Sequence, residues 1–157
     1  MHKTTMTPVG PVTLACANGR ITQLRFSQTM GTHQSVSAST TEALIIQQAC
    51  TQLQEYFSGL RKIFHLPFQL NGTEFQRQAW QQLIRIPYGE TRSYGWQCQA
   101  IAHPKAARAI GNANQRNPLA IIVPCHRIIR ADGSLGGYSG GVPAKVFLHA
   151  LENVNML

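Results

Sequence analysis

Residues 104–111 read Pro-Lys-Ala-Ala-Arg-Ala-Ile-Gly, and the architecture of the C-terminal half of the chain can be inferred outward from them. A proline is tolerated in the first turn of a helix, so Pro104 can occupy that position. At helical spacing, four apolar residues fall on one side: Ala106, Ala109, Ile110 and Ala113. Four polar or basic residues fall on the opposite side, with Gly111 nearby: Lys105, Arg108, Asn112 and Gln115. The pattern predicts a thin helix with a basic face.

Two further short helices are predicted before this one. Thr73-Glu74-Phe75-Gln76 matches a capping box, and the helix that it starts has an apolar face of Phe75, Ala79, Trp80, Leu83 and Ile84. A turn at 87–90 leads to the second short helix over 93–102. Three short helices that end in a small-residue helix with a basic face are typical of a helix-turn-helix. Any solvent-exposed amphipathic helix has one apolar and one polar face, so this pattern alone does not establish DNA binding. The net charge of the chain provides a second test.

The charge of the chain favours a polyanionic partner. The 157 residues contain 14 Lys and Arg against 6 Asp and Glu, which gives a net charge of +8. Basic residues are sparse up to residue 70 and denser from Arg77 to Lys145. An excess of basic residues is typical of nucleic-acid-binding proteins, although a net charge can also simply keep a protein soluble. We therefore expect a nucleic-acid surface in the second half.

The amino-acid composition limits the classes of protein to which this chain can belong. A hydrophobic content of 43% is enough for the core of one globular unit or two small lobes. The 4 cysteines form no CxxC pair, which indicates a reducing compartment, so we expect a cytoplasmic location, near the nucleoid in a bacterium. No Cys/His cluster has metal-ligand spacing, so no metal is predicted, although a zinc site built from distant residues stays open. No apolar run is long enough for a membrane span, and the N-terminus lacks a signal-peptide apolar region.

Residues 1–70 are predicted to form a small α/β lobe, and residues 71–157 a second lobe. Residues 8–16 and 21–26 alternate like strands around Asn18-Gly19, the signature of a hairpin turn. A polar loop is expected over 27–41, a helix over 42–57 ending at Gly59, and an extended segment over 63–68. This lobe offers no catalytic constellation.

After the third helix, the pattern changes to turns and glycines. Asn117-Pro118 predicts a turn, and 119–123 is a strand-like or buried run. A turn at 132–133 precedes the glycine-rich loop 136–141, which lacks the Gly-Lys-Ser/Thr of a nucleotide-phosphate loop. Residues 143–153 predict a closing helix whose apolar side is Val146, Phe147, Ala150 and Leu151.

Cys125 is the candidate nucleophile. It follows Ile121-Ile122-Val123-Pro124 and precedes His126 and Arg127. A thiol reacts as its thiolate, and cationic neighbours with a proton acceptor raise the thiolate fraction. The alternative is a small buried hydrophobe, which is common for a cysteine after an apolar run. The basic neighbours and the downstream glycine loop favour the nucleophile.

Several motifs together resemble one family, the O6-methylguanine-DNA methyltransferases. They are, in order, 104–111, Asn117-Pro118, Pro124-Cys125-His126-Arg127 and Tyr138-Ser139-Gly140-Gly141. The resemblance is dense over 73–152 and loose over 1–70. One departure is the middle helix, which reads Gly95-Trp96-Gln97-Cys98-Gln99 where the family is richer in Leu and Ala.

The resemblance implies a fold and a mode of DNA binding. The expected fold is a ribonuclease-H-like N-terminal lobe and a mainly α, winged helix-turn-helix C-terminal lobe. In the family the third helix enters the minor groove, whereas the residues alone suggest the major groove, the usual site for such a helix. Arg108 is expected to replace a flipped-out nucleotide in the base stack. The DNA-binding residues carried over are Ala107, Arg108, Gly111, Asn112 and Gln115.

The resemblance also implies a reaction. A monomer without a cofactor would transfer the alkyl group of O6-alkylguanine, or O4-alkylthymine, in double-stranded DNA to Cys125. His126 would accept the thiol proton through a water, and Glu152 would orient His126. Tyr94 would protonate the departing guanine, and Ser139 would contact its oxygen. Asn117 is the expected hinge, and Pro124 and Tyr138 complete the pocket. Since no residue is expected to regenerate the sulfur, each molecule would react once.

Two other classes of function remain open from the residues. One is a DNA-binding regulator that uses the helix-turn-helix without chemistry. The other is a cysteine hydrolase, which requires a remote histidine and an oxyanion hole. His126 is adjacent to Cys125 in sequence, and neighbouring side chains on an extended segment diverge, which disfavours the hydrolase.

Overall fold

A computed structural model describes residues 1–27 and 40–154 of the chain. The chain divides into two compact units, Met1–Asn71 and Gly72–Leu157. Of the loop predicted over 27–41, residues 28–39 lie outside the described residues, and Thr40 already begins a helix.

The first unit contains a three-stranded antiparallel sheet. Its strands are β1 (His2–Thr7), β2 (Gly10–Ala17) and β3 (Arg20–Phe26), in the order β1-β2-β3. The Asn-Gly hairpin is confirmed: Asn18 and Gly19 have φ values of 53° and 74°, the left-handed conformation that a tight two-residue hairpin turn requires. β1 was not predicted, because its sequence carries three threonines and no apolar alternation.

Helix α1 (Thr40–Phe57) packs on this sheet. It buries apolar residues at helical spacing, as predicted: Ile45, Ile46, Ala49, Leu53 and Tyr56. Its buried Gln52 donates to the carbonyl of His65 at 2.9 Å and accepts from the His65 amide at 2.9 Å. The predicted extended segment is thereby held near the sheet, where it forms one parallel bridge between Phe68 and Ile21 rather than a full strand.

The second unit is mostly helical. Helices α2 (Glu74–Ile84), α3 (Tyr94–Ala100) and α4 (Ala107–Gln115) pack around a core of Ala79, Cys98, Ile101, Ile110 and Ala113. Strand β4 (Arg92–Ser93) pairs in parallel with β5 (Ile128–Ile129), and α5 (Val142–Leu151) is the last described helix. The capping box is confirmed, since the Thr73 hydroxyl accepts from the Gln76 amide at 3.1 Å and the Gln76 side chain accepts from the Thr73 amide at 3.0 Å.

A buried amide pair joins α3 to α4. Gln97 and Asn114 exchange two hydrogen bonds of 2.9 Å, and Gln97 also donates to the carbonyl of Ala79 at 3.1 Å. Buried polar groups must be paired, and here they pair with each other. The middle helix is therefore held by this hydrogen bonding as well as by the apolar packing of Cys98.

Some predicted faces and elements are wrong. Ile84 is 44% exposed, and Ala109 is exposed, because each lies at the edge of its helix's packed face. Pro104 lies in a turn before α4, which begins only at Ala107. Of the two forms expected for residues 119–123, the buried run is confirmed, because the segment is almost entirely buried and does not form a strand.

Candidate active site

Cys125 begins a single turn of 3-10 helix, Cys125–Arg127, at the end of a tightly turned loop. Within this loop Ile121 has a φ of 71°, a strained value for a β-branched residue, which breaks the extended conformation that the apolar run predicts. The amide of Val123 donates to the carbonyl of Leu119 at 2.8 Å, and the amide of Cys125 to that of Val123 at 2.8 Å. Cys125 is consequently only 5% exposed.

Asn117 fastens this loop to the end of α4. Its Nδ2 donates to the carbonyl of Val123 at 2.7 Å, and its Oδ1 accepts from the amide of Leu119 at 3.0 Å. Burial raises the pKa of the Cys125 thiol, while the Asn117 side chain and the charge of Lys145 oppose the rise.

Behind the cysteine, His126 and Arg127 both contact Glu152, the residue that caps α5. His126 Nε2 lies 2.7 Å from Glu152 Oε2, and both side chains are fully buried. Arg127 donates through Nε to Oε1 at 2.9 Å and through Nη2 to Oε2 at 3.1 Å. The amide of Gly89 also donates to Oε1, at 3.3 Å. Burial favours a protonated carboxyl, but these partners outweigh it and hold the pKa of Glu152 well below its usual range.

The other nitrogen of His126 has a different environment. Nδ1 is buried and has no hydrogen-bond partner among residues 1–27 and 40–154. Burial lowers the pKa of His126, Glu152 opposes this effect, and Arg127 and His149 add to it. A neutral imidazole with one unpartnered nitrogen next in sequence to a thiol is suited to accept that thiol's proton. The ring of Tyr138, also buried, lies edge-on to His126 with the centroids 6.4 Å apart.

The inner face of α5 corrects the prediction for this helix. Val146 and Phe147 are 50% and 38% exposed, and Ala150 is exposed, whereas the buried residues are Ala144, Lys145, Leu148 and His149. The ammonium of Lys145 donates to the carbonyls of Ile128, Leu135 and Gly137 at 2.6, 2.5 and 3.3 Å. Burial lowers the pKa of Lys145 to about 8, and Cys125 is the charge that opposes this effect. His149 Nε2 lies 2.6 Å from the carbonyl of His126.

A groove of about 580 Å³ contains the predicted DNA-binding residues and Tyr94. One part of its lining comes from α4: Ala107, Arg108, Gly111, Asn112 and Gln115. Another part comes from the loop after β5: Arg130, Ala131 and Gly137. No carboxylate lines this groove, and neither Arg108 nor Arg130 forms a salt bridge within the part of the chain that the structure describes.

Tyr94 lies between the groove and the glycine loop. A Cβ atom built on Gly136 would lie 2.9 Å from the Tyr94 hydroxyl, so the loop approaches the phenol as closely as only glycine permits. Burial raises the pKa of Tyr94, the charge of Cys125 raises it further, and Arg130 lowers it.

The remaining two predicted pocket residues are Pro124 and Ser139. Pro124 is buried and accepts from the Arg127 amide through its carbonyl at 3.0 Å. Ser139 is exposed, and its hydroxyl makes no hydrogen bond within the described ranges.

The sequence did not predict that Arg127 is a partner of Glu152, or that Lys145 and His149 lie in the site. The described residues contain no cluster of three metal-ligating side chains and no helix long and apolar enough to cross a membrane.

The chain matches the 6-O-methylguanine DNA methyltransferase family, its ribonuclease-like domain over residues 1–70 and its DNA binding domain over residues 74–154. It is 44% identical over 158 residues to the constitutive methylated-DNA–protein-cysteine methyltransferase of Bacillus subtilis, with 98% of this chain and 96% of the relative covered. Identity to the methylated-DNA–protein-cysteine methyltransferase of Mycobacterium leprae is 46%, over 96% of this chain and 90% of the relative.

Solved structures show the same likeness. The crystal structure of Mycobacterium tuberculosis OGT in complex with DNA has a TM-score of 0.84 at 44% identity, covering 96% of this chain and 91% of that one. The crystal structure of Mycobacterium tuberculosis O6-methylguanine methyltransferase has a TM-score of 0.82 at 44% identity, covering 97% and 93%.

Proposed function

The chain belongs to the 6-O-methylguanine DNA methyltransferase family, and we propose that it repairs DNA by moving an alkyl group from O6 of guanine to its own Cys125. In this reaction the sulfur–carbon bond forms as the carbon–O6 bond breaks. An alkyl group on O4 of thymine would be attacked in the same way. The observation that carries the proposal is the buried arrangement of Cys125 beside His126, with Glu152 2.7 Å from the far nitrogen of the imidazole.

Activation of the thiol follows from this arrangement. His126 Nδ1 takes the thiol proton through an intervening water, and Glu152 stabilises the imidazolium that results. Lys145 contributes a buried positive charge near the sulfur, which favours the thiolate. Asn117 holds the loop, and its side chain also lowers the pKa of the same thiol.

The leaving guanine needs a proton, and Tyr94 is the proposed donor. Its raised pKa keeps the phenol protonated at neutral pH, so the proton is available when negative charge develops on the base. Arg130, which lines the same groove, opposes that rise and stabilises the phenolate left behind. Pro124, Tyr138 and Ser139 complete the pocket, Ser139 as a contact to the guanine oxygen.

DNA binding is proposed along the groove that contains Arg108. We assign α2 to α4 and the β4–β5 pair to a winged helix-turn-helix, with α4 entering the minor groove. The small residues Ala107 and Gly111 permit close approach there, and Asn112 and Gln115 contact the strand. Arg108, exposed and without an ion pair among the described residues, fills the space of a nucleotide flipped out of the stack.

The remaining expectations from the sequence stay proposals. We propose that the protein acts as a monomer on double-stranded DNA, in the cytoplasm and, in a bacterium, near the nucleoid. The ribonuclease-H-like description of the N-terminal lobe and a domain boundary after residue 70 are also kept as predictions. No cofactor or metal is required by the chemistry proposed.

Mass spectrometry of the protein after incubation with O6-methylguanine duplex DNA tests the function. We expect a mass gain of one CH₂ group on the Cys125 peptide, and repaired guanine reaching a plateau at one equivalent of protein. Cys125→Ser should accept no methyl group yet bind DNA as the parent does, because a hydroxyl is far harder to ionise than a thiol. A methyl group found on Cys16, Cys50 or Cys98, or turnover beyond one equivalent, would refute the proposal.

The same experiment distinguishes the proposed function from both alternatives, since only the proposed function modifies Cys125. A DNA-binding regulator would bind the oligonucleotide and stay unmodified. A cysteine hydrolase would leave Cys125 unmodified while it converted many equivalents of an ester or amide substrate.

A further inference from the structure

We propose that Arg127 is a positioning residue for the transfer, which fixes the tautomer of His126 by holding Glu152 as a double hydrogen-bond acceptor. The inference rests on the proposed role of Cys125 as the alkyl acceptor. Arg127 does not contact the sulfur in this scheme; it acts through Glu152 and His126.

The contacts of the carboxylate are the first step. Arg127 donates to both oxygens of Glu152, at 2.9 Å and 3.1 Å, in the two-pronged geometry that only a guanidinium provides. Gly89 adds a third donor to Oε1. Because two donors occupy Oε1 and one occupies Oε2, the favoured form of Glu152 is the ionised carboxylate, which has no proton to donate.

The tautomer follows from that charge state. His126 Nε2 lies 2.7 Å from Glu152 Oε2, and a carboxylate can only accept, so Nε2 must carry the hydrogen. In a neutral imidazole Nδ1 then holds the lone pair. This nitrogen is buried and lacks a partner within the described part of the chain, so it is ready to take a proton from the thiol. With the opposite tautomer, Nδ1 would already be protonated and could not act as the base.

Besides its bonds to Glu152, two contacts fix the position of Arg127. Nη1 donates to the carbonyl of Ile86 at 2.6 Å, and the guanidinium carbon lies 5.8 Å from the centre of the Tyr88 ring. Tyr88 in turn donates to the carbonyl of Leu151 at 3.2 Å, next to Glu152. The other groups that face His126 are His149, whose Nε2 meets the His126 carbonyl, and the Tyr138 ring. Arg127 is thereby held where its guanidinium donates to both oxygens of Glu152.

The test is the ¹⁵N spectrum of the imidazole ring in unreacted protein, recorded without DNA. Wild-type His126 should show a protonated Nε2 and an unprotonated Nδ1. Arg127→Gln should shift the population toward protonated Nδ1, and methyl transfer should slow by about 10²-fold, the low end of the usual contribution of a general base. Arg127→Lys, which keeps the charge but cannot bond both oxygens and Ile86 at once, should lie between the two.

Two control variants separate this role from a structural one. Tyr88→Phe removes the bond to Leu151 and keeps the ring beside Arg127, so it should lower the melting temperature and leave the tautomer unchanged. Arg61→Gln removes an arginine that faces Glu55 in the other unit and should change neither the tautomer nor the rate.

The outcomes are distinct. If folded Arg127→Gln and Arg127→Lys both keep the wild-type tautomer, the proposal is wrong, whatever their rates. If wild type takes up no methyl group but shows the expected spectra, the proposed function fails and the effect of Arg127 on the tautomer stands.

Discussion

The side-chain amide of Asn117 donates to the carbonyl oxygen of Val123, six residues further along the chain, at 2.7 Å. With its second bond, to the amide of Leu119, it closes a buried loop whose ends are the last turn of α4 and the residue before Pro124. One side chain therefore connects the proposed DNA-binding helix with the position of the thiol.

Replacement of Asn117 should weaken both stability and transfer. Asn117→Ala leaves the Val123 carbonyl and the Leu119 amide buried without these partners, at about 1–3 kcal/mol for each group. We expect a lower free energy of unfolding in urea and slower methylation of Cys125. Asn112→Ala removes an exposed asparagine from the preceding helix, α4, and should melt like the parent. Equal melting of the two variants would contradict the importance of the loop closure.

Arg108 can be tested by comparing two substrates. Arg108→Ala should slow repair of duplex lesions, because extrusion of the base costs a few kcal/mol of unpairing and unstacking. Reaction with the free base O6-benzylguanine needs no extrusion and should change little. Single-turnover rates on both substrates give the comparison. Equal slowing would mean that Arg108 supports the site itself and not the extrusion.

Duplex binding should depend on salt. Because phosphate neutralisation supplies most of the affinity of such a basic chain, the logarithm of the association constant should fall linearly with the logarithm of the salt concentration. Fluorescence anisotropy with labelled duplexes of different sequence should give similar slopes. A flat response would show that the charge of +8 serves solubility only.

Glu152 should make the protein sensitive to acid. Its pKa in the folded protein is depressed, so its ion pairs contribute stability above the unfolded pKa of about 4.3, and that contribution is lost as the pH falls toward the folded value. Urea unfolding between pH 7 and pH 3 should therefore show a steep loss below about pH 4.3. Glu152→Gln should lose about 3–5 kcal/mol at neutral pH, because Arg127 stays buried without its counter-ion, and should have a shallower acid slope. Glu74→Gln, at an exposed carboxyl, should keep the wild-type slope.

The methylated protein should melt at a lower temperature than the parent. Cys125 is 5% exposed in a closely turned loop, so an added methyl group overpacks the interior by about 1–3 kcal/mol. Calorimetry of protein reacted to completion with an O6-methylguanine oligonucleotide, with the oligonucleotide removed, gives the measurement. A product as stable as the parent would show that the pocket has room for the methyl group.

The sequence predicted those site residues that a local motif or the family resemblance identifies. The motif at 124–127 contains Cys125 and His126, the resemblance to the family adds Glu152, and the fold brings His126 and Glu152 into contact across 26 positions. The role of Arg127 could not be inferred in the same way, because its partners at Ile86 and Glu152 are far away in sequence. A basic residue after a cysteine indicates a nearby charge, but not which carboxylate it will hold.

Helical periodicity failed on α5 for a physical reason. The rule assumes that the buried face of a helix is the apolar one, and here the buried face carries Lys145 and His149. Their polar atoms meet backbone carbonyls, which compensates for their burial. The signal available in the sequence was the spacing of Lys145, His149 and Glu152, which places them on one side of the helix. Likewise, the apolar run before Cys125 predicts a strand only if Ile121 stays extended.

The close approach of Gly136 to the Tyr94 hydroxyl means that positions in the glycine loop differ in the substitutions that they can accept. Any side chain at position 136 would place its Cβ atom 2.9 Å from the phenol oxygen and would have to adopt a φ of 74°. Only glycine is therefore compatible with this position, which we call the floor of the proposed pocket. Ser139, exposed three residues later, is free of that restraint, and we propose that it lies at the rim of the pocket. A library meant to admit bulkier alkyl groups would vary the rim and leave the floor as glycine.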